Sequence, residues 1–263
     1  MDRAEPPRGP RVAVVIPARD EEEALPLVLA ELPREHVDHV VVVDNGSRDR
    51  TAVLARSLGA RVVDEPARGY GRACLAGIAC LWGTHAEPAS RLEPPLGDGD
   101  ILVFLDADHS DFPEELPRIL EPLLAERAEL VIGSRVLGGA RMDAMLPQAW
   151  FGNRLACLLM RCFFGARATD LGPFRAIRSG ALRQLAMRDR GFGWTIEMQL
   201  KAHAQGLRVV EVPVRYRPRI GRSKITGTLF GTLGAGTKIL GWIALWRLRT
   251  AFLSATRPSP RSR

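Results

Sequence analysis

The alternation of aliphatic runs with helix-spaced stretches constrains the fold of this chain more than any other feature. Residues 11–17, 39–43, 61–63, 101–105 and 130–132 are short Val/Ile/Leu-rich runs. They lack polar alternation, which is the pattern of strands covered on both faces. Between them, residues 21–32 carry Leu25, Val28, Leu29 and Leu32 at helical spacing. Residues 50–58, 73–82 and 113–126 read as further helices, the last with Pro113 in its first turn and the first with Ser47 as its N-cap. The alternation predicts an α/β domain, a Rossmann-like and mostly parallel sheet with helices on both faces. Ligands of such sheets bind beyond the carboxyl ends of the strands. Polar groups gather at those ends here: Arg19-Asp20-Glu21, Asp44, Asp64-Glu65 and Asp106-Ala107-Asp108.

The last of these carries the most chemistry. In extended backbone residues i and i+2 point the same way, so Asp106 and Asp108 face one spot. Two carboxylates that close repel unless a cation lies between them. Oxygen ligands favour Mg²⁺ or Mn²⁺, which keep open positions for phosphate oxygens. The alternative is a solvated turn with two acids. The sequence Gly69-Tyr70-Gly71 argues against a dinucleotide site, because Cys74 stands where a third glycine is needed and the motif follows the third strand.

Composition narrows the partners. A net charge of +7 suits anionic ligands or surfaces. Aromatic residues make up only 6% and interleave with no basic run, which argues against nucleic acid. Cys74, Cys80, Cys157 and Cys162 form no Cys-x-x-Cys pair and read as buried thiols in a reducing compartment.

Beyond residue 136 the alternation stops. Residues 138–145 read as a mobile loop, 148–164 and 194–205 as helices, and 170–179 and 208–214 as strands. Residues 225–250 form an apolar segment, interrupted by Lys238 and five glycines, too broken for a membrane span. It reads as an amphipathic helix, either at a membrane interface with Trp242 and Trp246 near its end, or docked on the protein's own core. The N-terminal residues 1–10 lack the apolar stretch of a signal peptide and read as a flexible tail, and 251–263 as a basic tail.

Seven motifs occur in a fixed order: Val15 to Glu21, Asp44 to Thr51, Phe104 to Asp108, Ile132 to Arg135, Asp170 to Arg175, Thr195 to Met198, and Glu211 to Val214 followed by Arg219 and Gly221 to Lys224. Together they resemble the family 2 glycosyltransferases of the GT-A fold, in particular the dolichyl-phosphate mannose synthase branch that makes polyprenyl-phosphate sugars. The resemblance implies a GT-A domain over residues 11–224, with a nucleotide-sugar half at 11–135 and an acceptor half at 136–224. It implies that Pro17, Ala18, Arg19, Glu21, Asp44, Arg72 and Asp106 to Asp108 hold a nucleoside diphosphate sugar. Asp106 and Asp108 would bind Mg²⁺ or Mn²⁺. Arg135, Arg175, Arg219 and Lys224 would meet phosphates of donor or acceptor, as guanidinium does bidentately.

An inverting hexosyl transfer to a polyprenyl phosphate, at the cytoplasmic membrane face, follows from the resemblance. A soluble or hydroxyl acceptor would need a base, and Asp170 and Glu197 are the candidates. A non-catalytic module binding nucleotide sugar or membrane is the reading of another class. Three positions depart from the family pattern: Asn45 replaces a second Asp, Ser110 stands where the mannose synthases have Gln, and Asp170 to Arg175 replaces a Thr-Ser-Gly-containing segment. The third metal ligand, near His109, Ser110 and Asp111, stays open.

Overall fold

The computed structural model describes residues 9–139, 147–221 and 241. The tails, residues 140–146, Lys224 and the apolar segment at 225–250 lie outside the described residues, apart from 9, 10 and 241, so the expectations for them rest on sequence. Seven strands form one sheet: β1 (Val12–Ala18), β2 (His39–Asp44), β3 (Arg61–Asp64), β4 (Ile101–Phe104), β5 (Leu130–Ser134), β6 (Arg175–Arg178) and β7 (Val209–Pro213). Their spatial order is β3-β2-β1-β4-β6-β5-β7. Every neighbouring pair is parallel except β4–β6 and β5–β6, so the sheet is mostly parallel with one reversed strand.

Alternation along β1 explains the two layers. Val12, Val14 and Ile16 point to one face, where α1 (Leu25–Glu31) and α4 (Leu116–Leu124) bury Leu25, Leu29, Ile119 and Leu123. Ala13 and Val15 point to the other. There they meet Cys74, Ile78 and Leu81 of α3 (Tyr70–Leu81) and Trp194 and Met198 of α7 (Trp194–Ala204). The remaining helices are α2 (Thr51–Ser57), α5 (Pro147–Phe164) and α6 (Ser179–Leu185). A third apolar cluster joins α5 to α7 through Ala156, Met160, Ile196 and Leu200.

The structure changes four details. Only Arg175–Arg178 of the stretch 170–179 is strand, and α6 follows at once. Residues 170–173 leave the ladder to carry the Asp170 side chain inward. Ser47 does not cap α2; its hydroxyl accepts from the Asp20 N–H at 3.0 Å, while Asp49 accepts from the Thr51 N–H at 3.0 Å. Helix α3 begins at Tyr70, three residues before the apolar spacing starts. Cys74, Cys80 and Cys157 are buried free thiols, but Cys162 is exposed on the outer face of α5.

Candidate active site

A cavity of about 650 Å³ opens where β1, β2 and β4 end. Pro17, Ala18 and Glu21 line it from the β1 exit, Asn45 from β2, and Asp106, Ala107 and Asp108 from β4. Arg19, Arg68, Arg72 and Arg190 add four guanidinium groups to its wall, and Arg219 reaches in from the segment after β7.

The two aspartates do converge. The Tyr70 hydroxyl donates to Asp106 Oδ1 at 3.0 Å. Asp108 Oδ1 accepts from the Ser110 N–H at 3.0 Å and its hydroxyl at 2.6 Å, leaving Oδ2 to face Arg219 at 3.1 Å. Burial, and then the charge of Asp108, push the Asp106 carboxyl up to about 7. Burial, with Asp106 beside it, also raises the Tyr70 phenol well above its ordinary value. Behind them Asp111 is 2% exposed, and neither of its carboxylate oxygens has a hydrogen-bond partner. Burial pushes it well up, and the charge of Asp106 adds to that.

This negative charge fits a divalent cation. The donors are hard carboxylate oxygens, and a cationic side chain already stands on Asp108. Among the described residues no group of three or more His, Cys, Asp or Glu side chains could hold a metal. Asp106 and Asp108, which line the cavity, are the residues that could hold such an ion. The Ser110 hydroxyl is committed to Asp108, and His109 Nε2 lies 2.9 Å from Glu31.

Eight residues expected at the nucleotide line the cavity: Pro17, Ala18, Arg19, Glu21, Arg72, Asp106, Ala107 and Asp108. Asp44 is not at the wall; it accepts from the Ser47 N–H at 3.2 Å. Its neighbour Asn45 takes the place. The Asn45 amide donates to the carbonyls of Glu65 and Ala67 at 2.9 and 2.8 Å and accepts from Gly69 N–H at 2.9 Å, which fixes the loop entering α3.

Sequence reading missed the far wall, Arg190-Gly191-Phe192. The Gly71 N–H donates to the Gly191 carbonyl at 3.0 Å and the Arg72 N–H to that of Arg190 at 3.2 Å, so this loop is laced to the start of α3. Asp189 Oδ1 accepts from the N–H groups of Gly191 and Gly193 at 2.7 and 3.0 Å. Its signal was an Asp before a glycine-flanked aromatic, which is turn chemistry. Tyr70 lay within the glycine loop already singled out.

Four expected residues stand elsewhere. Glu197, fully buried, accepts from the N–H groups of Arg188 and Asp189 at 2.9 and 2.7 Å and pairs with Lys201 at 2.7 Å. It anchors the far-wall loop. Asp170, also fully buried, is held bidentately by Arg135 at 2.8 and 2.7 Å. Asp170 raises the Arg135 guanidinium further above its ordinary value, outweighing burial, the largest effect, which lowers it. Arg175 is buried in the core and donates to the carbonyls of Leu171, Gly172 and Thr195. Burial lowers its guanidinium to about 10. These carbonyls occupy the Arg175 donors expected for phosphate.

The Glycosyl transferase family 2 model matches residues 13–84 and 96–185. An undecaprenyl-phosphate mannosyltransferase of Micrococcus luteus is 33% identical over 256 residues, 90% of this chain and 96% of the relative. A polyprenol monophosphomannose synthase of Mycolicibacterium smegmatis is 31% identical over 231 residues, 83% of this chain and 82% of that one. Among solved structures, a glucosyl-3-phosphoglycerate synthase of Mycobacterium tuberculosis, in complex with Mn²⁺, UDP and glucosyl-3-phosphoglycerate, has a TM-score of 0.69 at 25% identity. The match covers 91% of this chain and 80% of that one. The chain belongs to glycosyltransferase family 2 and has the GT-A fold.

Proposed function

We propose that this family 2 glycosyltransferase moves a hexose from a nucleoside diphosphate sugar to a polyprenyl phosphate, with Mg²⁺ or Mn²⁺ at Asp106 and Asp108. The observation that carries the reading is the cavity itself, in which two converging carboxylates face four arginines. Arg19, Arg68, Arg72 and Arg190 supply cationic donors for a diphosphate. A bound divalent ion would offset charge growing on the departing nucleoside diphosphate. An acceptor phosphate oxygen forms the new bond to the anomeric carbon. The sugar–diphosphate bond breaks with its electrons leaving on the diphosphate, which inverts the centre.

Support for a phosphate acceptor comes from the two residues expected to serve as a base for a hydroxyl one. Asp170 is clamped by Arg135 and Glu197 by Lys201, so neither is placed to take a proton. A phosphate monoester is already ionised near neutral pH and needs no such help. The outer face of α5 exposes Phe151 at 65% and Leu158 at 56%, interspersed with Arg154 and Arg161. Apolar and basic groups on one helix face suit an anionic membrane surface. No described helix is long and apolar enough to cross a membrane. The reading puts the enzyme peripherally on the cytoplasmic membrane face.

The test incubates the purified chain with Mn²⁺, labelled nucleoside diphosphate hexoses, and either polyprenyl phosphate or water-soluble acceptors such as phosphoglycerate. Label should enter the lipid extract, only with metal. It should fall at least about 100-fold in Asp106→Asn, the scale of losing one group that stabilises transition-state charge. Label appearing only in a soluble product would contradict the lipid acceptor.

A further inference from the structure

Arg219 stands where a metal-bound diphosphate would need the carboxylates free. Its Nη1 lies 3.1 Å from Asp108 Oδ2 and its Nη2 3.3 Å from Glu21 Oε1, while its Nε is buried with no hydrogen-bond partner. The guanidinium thus bridges two acids of the cavity wall with its buried Nε–H unused. A group at its final station would use every buried donor.

The backbone around it is pinned. The Ile220 N–H donates to the Asp108 carbonyl and the Arg217 N–H to that of Ser110, both at 2.9 Å. The Arg217 side chain ties down further onto the His109 carbonyl at 2.7 Å and onto Glu31 at 2.5 Å. Residues 217–220 therefore ride on the loop that carries Asp108. Any movement of Arg219 is a swing of its side chain, which is 28% exposed, toward the cavity.

A divalent ion on Asp108 would stand beside the Arg219 guanidinium, and the two like charges repel. We propose that Arg219 is a displaceable internal counter-cation, which competes with the metal for Asp108 and turns to phosphate only once metal and diphosphate are seated. This rests on the functional reading above and adds an order to it: donor with metal first, acceptor phosphate second. In the metal-free protein Arg219 keeps the acids neutralised. Displaced, it becomes a spare guanidinium beside the reacting phosphates. One residue then prevents the acceptor phosphate from meeting a freed arginine before the donor is in place.

The experiment measures Mn²⁺ binding, by the EPR signal of free Mn²⁺, for the full chain and for Arg219→Gln and Arg219→Lys. Without nucleotide, Arg219→Gln should bind Mn²⁺ about two- to fivefold tighter than the parent, the scale of a partly exposed ion pair removed. Arg219→Lys, which keeps the charge, should fall between. With UDP or GDP present the advantage of Arg219→Gln should vanish or reverse. Equal or weaker Mn²⁺ binding by folded Arg219→Gln without nucleotide overturns the competition while leaving the metal site intact. Failure of the parent to bind Mn²⁺ with any nucleotide overturns the functional reading as well.

Discussion

Glu197 sits in an environment no solvent reaches, with an ammonium group at 2.7 Å and two backbone N–H groups pointing at it. Its carboxylate is committed to the far-wall loop and to Lys201. Glu197→Gln would leave the buried Lys201 without its counter-charge and should cost about 3–5 kcal/mol in chemical denaturation. Nucleotide affinity should fall with it, because Arg190 and Phe192 lose their support. A general base would behave otherwise, with stability kept and kcat lost. At this scale the i, i+2 spacing at a strand end singled out Asp106 and Asp108, and both line the cavity. The sequence could not separate Glu197 or Arg175 from functional groups. What decides them, the ammonium of Lys201 and three carbonyls, depends on how distant segments meet. Asn45 shows the reverse. It was noticed as a departure, and its side chain turns out to bind the loop that positions Gly69.

The start of α3 and the loop before α7 act as one element. A Cβ on Gly71 would lie 2.1 Å from the Asp189 carbonyl oxygen, so the two backbones touch only because Gly71 has no side chain. Gly71→Ala should push the far wall away. Nucleotide binding is expected to weaken about tenfold or more by calorimetry, while the far-UV spectrum stays that of the parent. Another link joins the first strand to the edge of β4. Arg11 Nε and Nη2 donate to Asp100 Oδ2 at 3.0 and 2.7 Å, and the Arg11 N–H to Oδ1 at 2.9 Å. Burial would raise the Asp100 carboxyl, but these bonds and the Gly97 N–H outweigh it and hold it below its ordinary value. With the folded value depressed, the stabilisation is present above the unfolded pKa near 4 and is lost as pH falls through the folded one. Asp100→Asn should lower the melting temperature at pH 7 and flatten its fall below about pH 4. Elements with a clear apolar period were legible to within a few residues. A strand was read within 170–179, but the reversed direction of β6 and the helix α6 were not, because four residues in the middle of a sheet look the same in either direction.

Across the molecule, strands from both ends of the chain build one sheet, and the cavity lies at the carboxyl ends of β1, β2 and β4, the edge anticipated from the polar residues there. The site joins residues up to about two hundred positions apart, such as Glu21 and Arg219. The sequence could show that these residues exist but not that they touch. The exposed apolar face of α5 makes a prediction at this scale. Phe151→Glu with Leu158→Glu should release the chain from vesicles rich in anionic lipid, read by sedimentation, and leave its melting temperature within a few degrees of the parent. The central claim is that Asp106 and Asp108 seat a metal-bound nucleoside diphosphate. Its most direct test is a thermal-shift titration of UDP and GDP, each with and without Mn²⁺, on the parent and on Asp106→Asn. One nucleotide should raise the melting temperature of the parent strongly with Mn²⁺ and weakly without it, and Asp106→Asn should lose the Mn²⁺-dependent part. A nucleotide shift that is indifferent to Mn²⁺, or one that survives unchanged in Asp106→Asn, would contradict it.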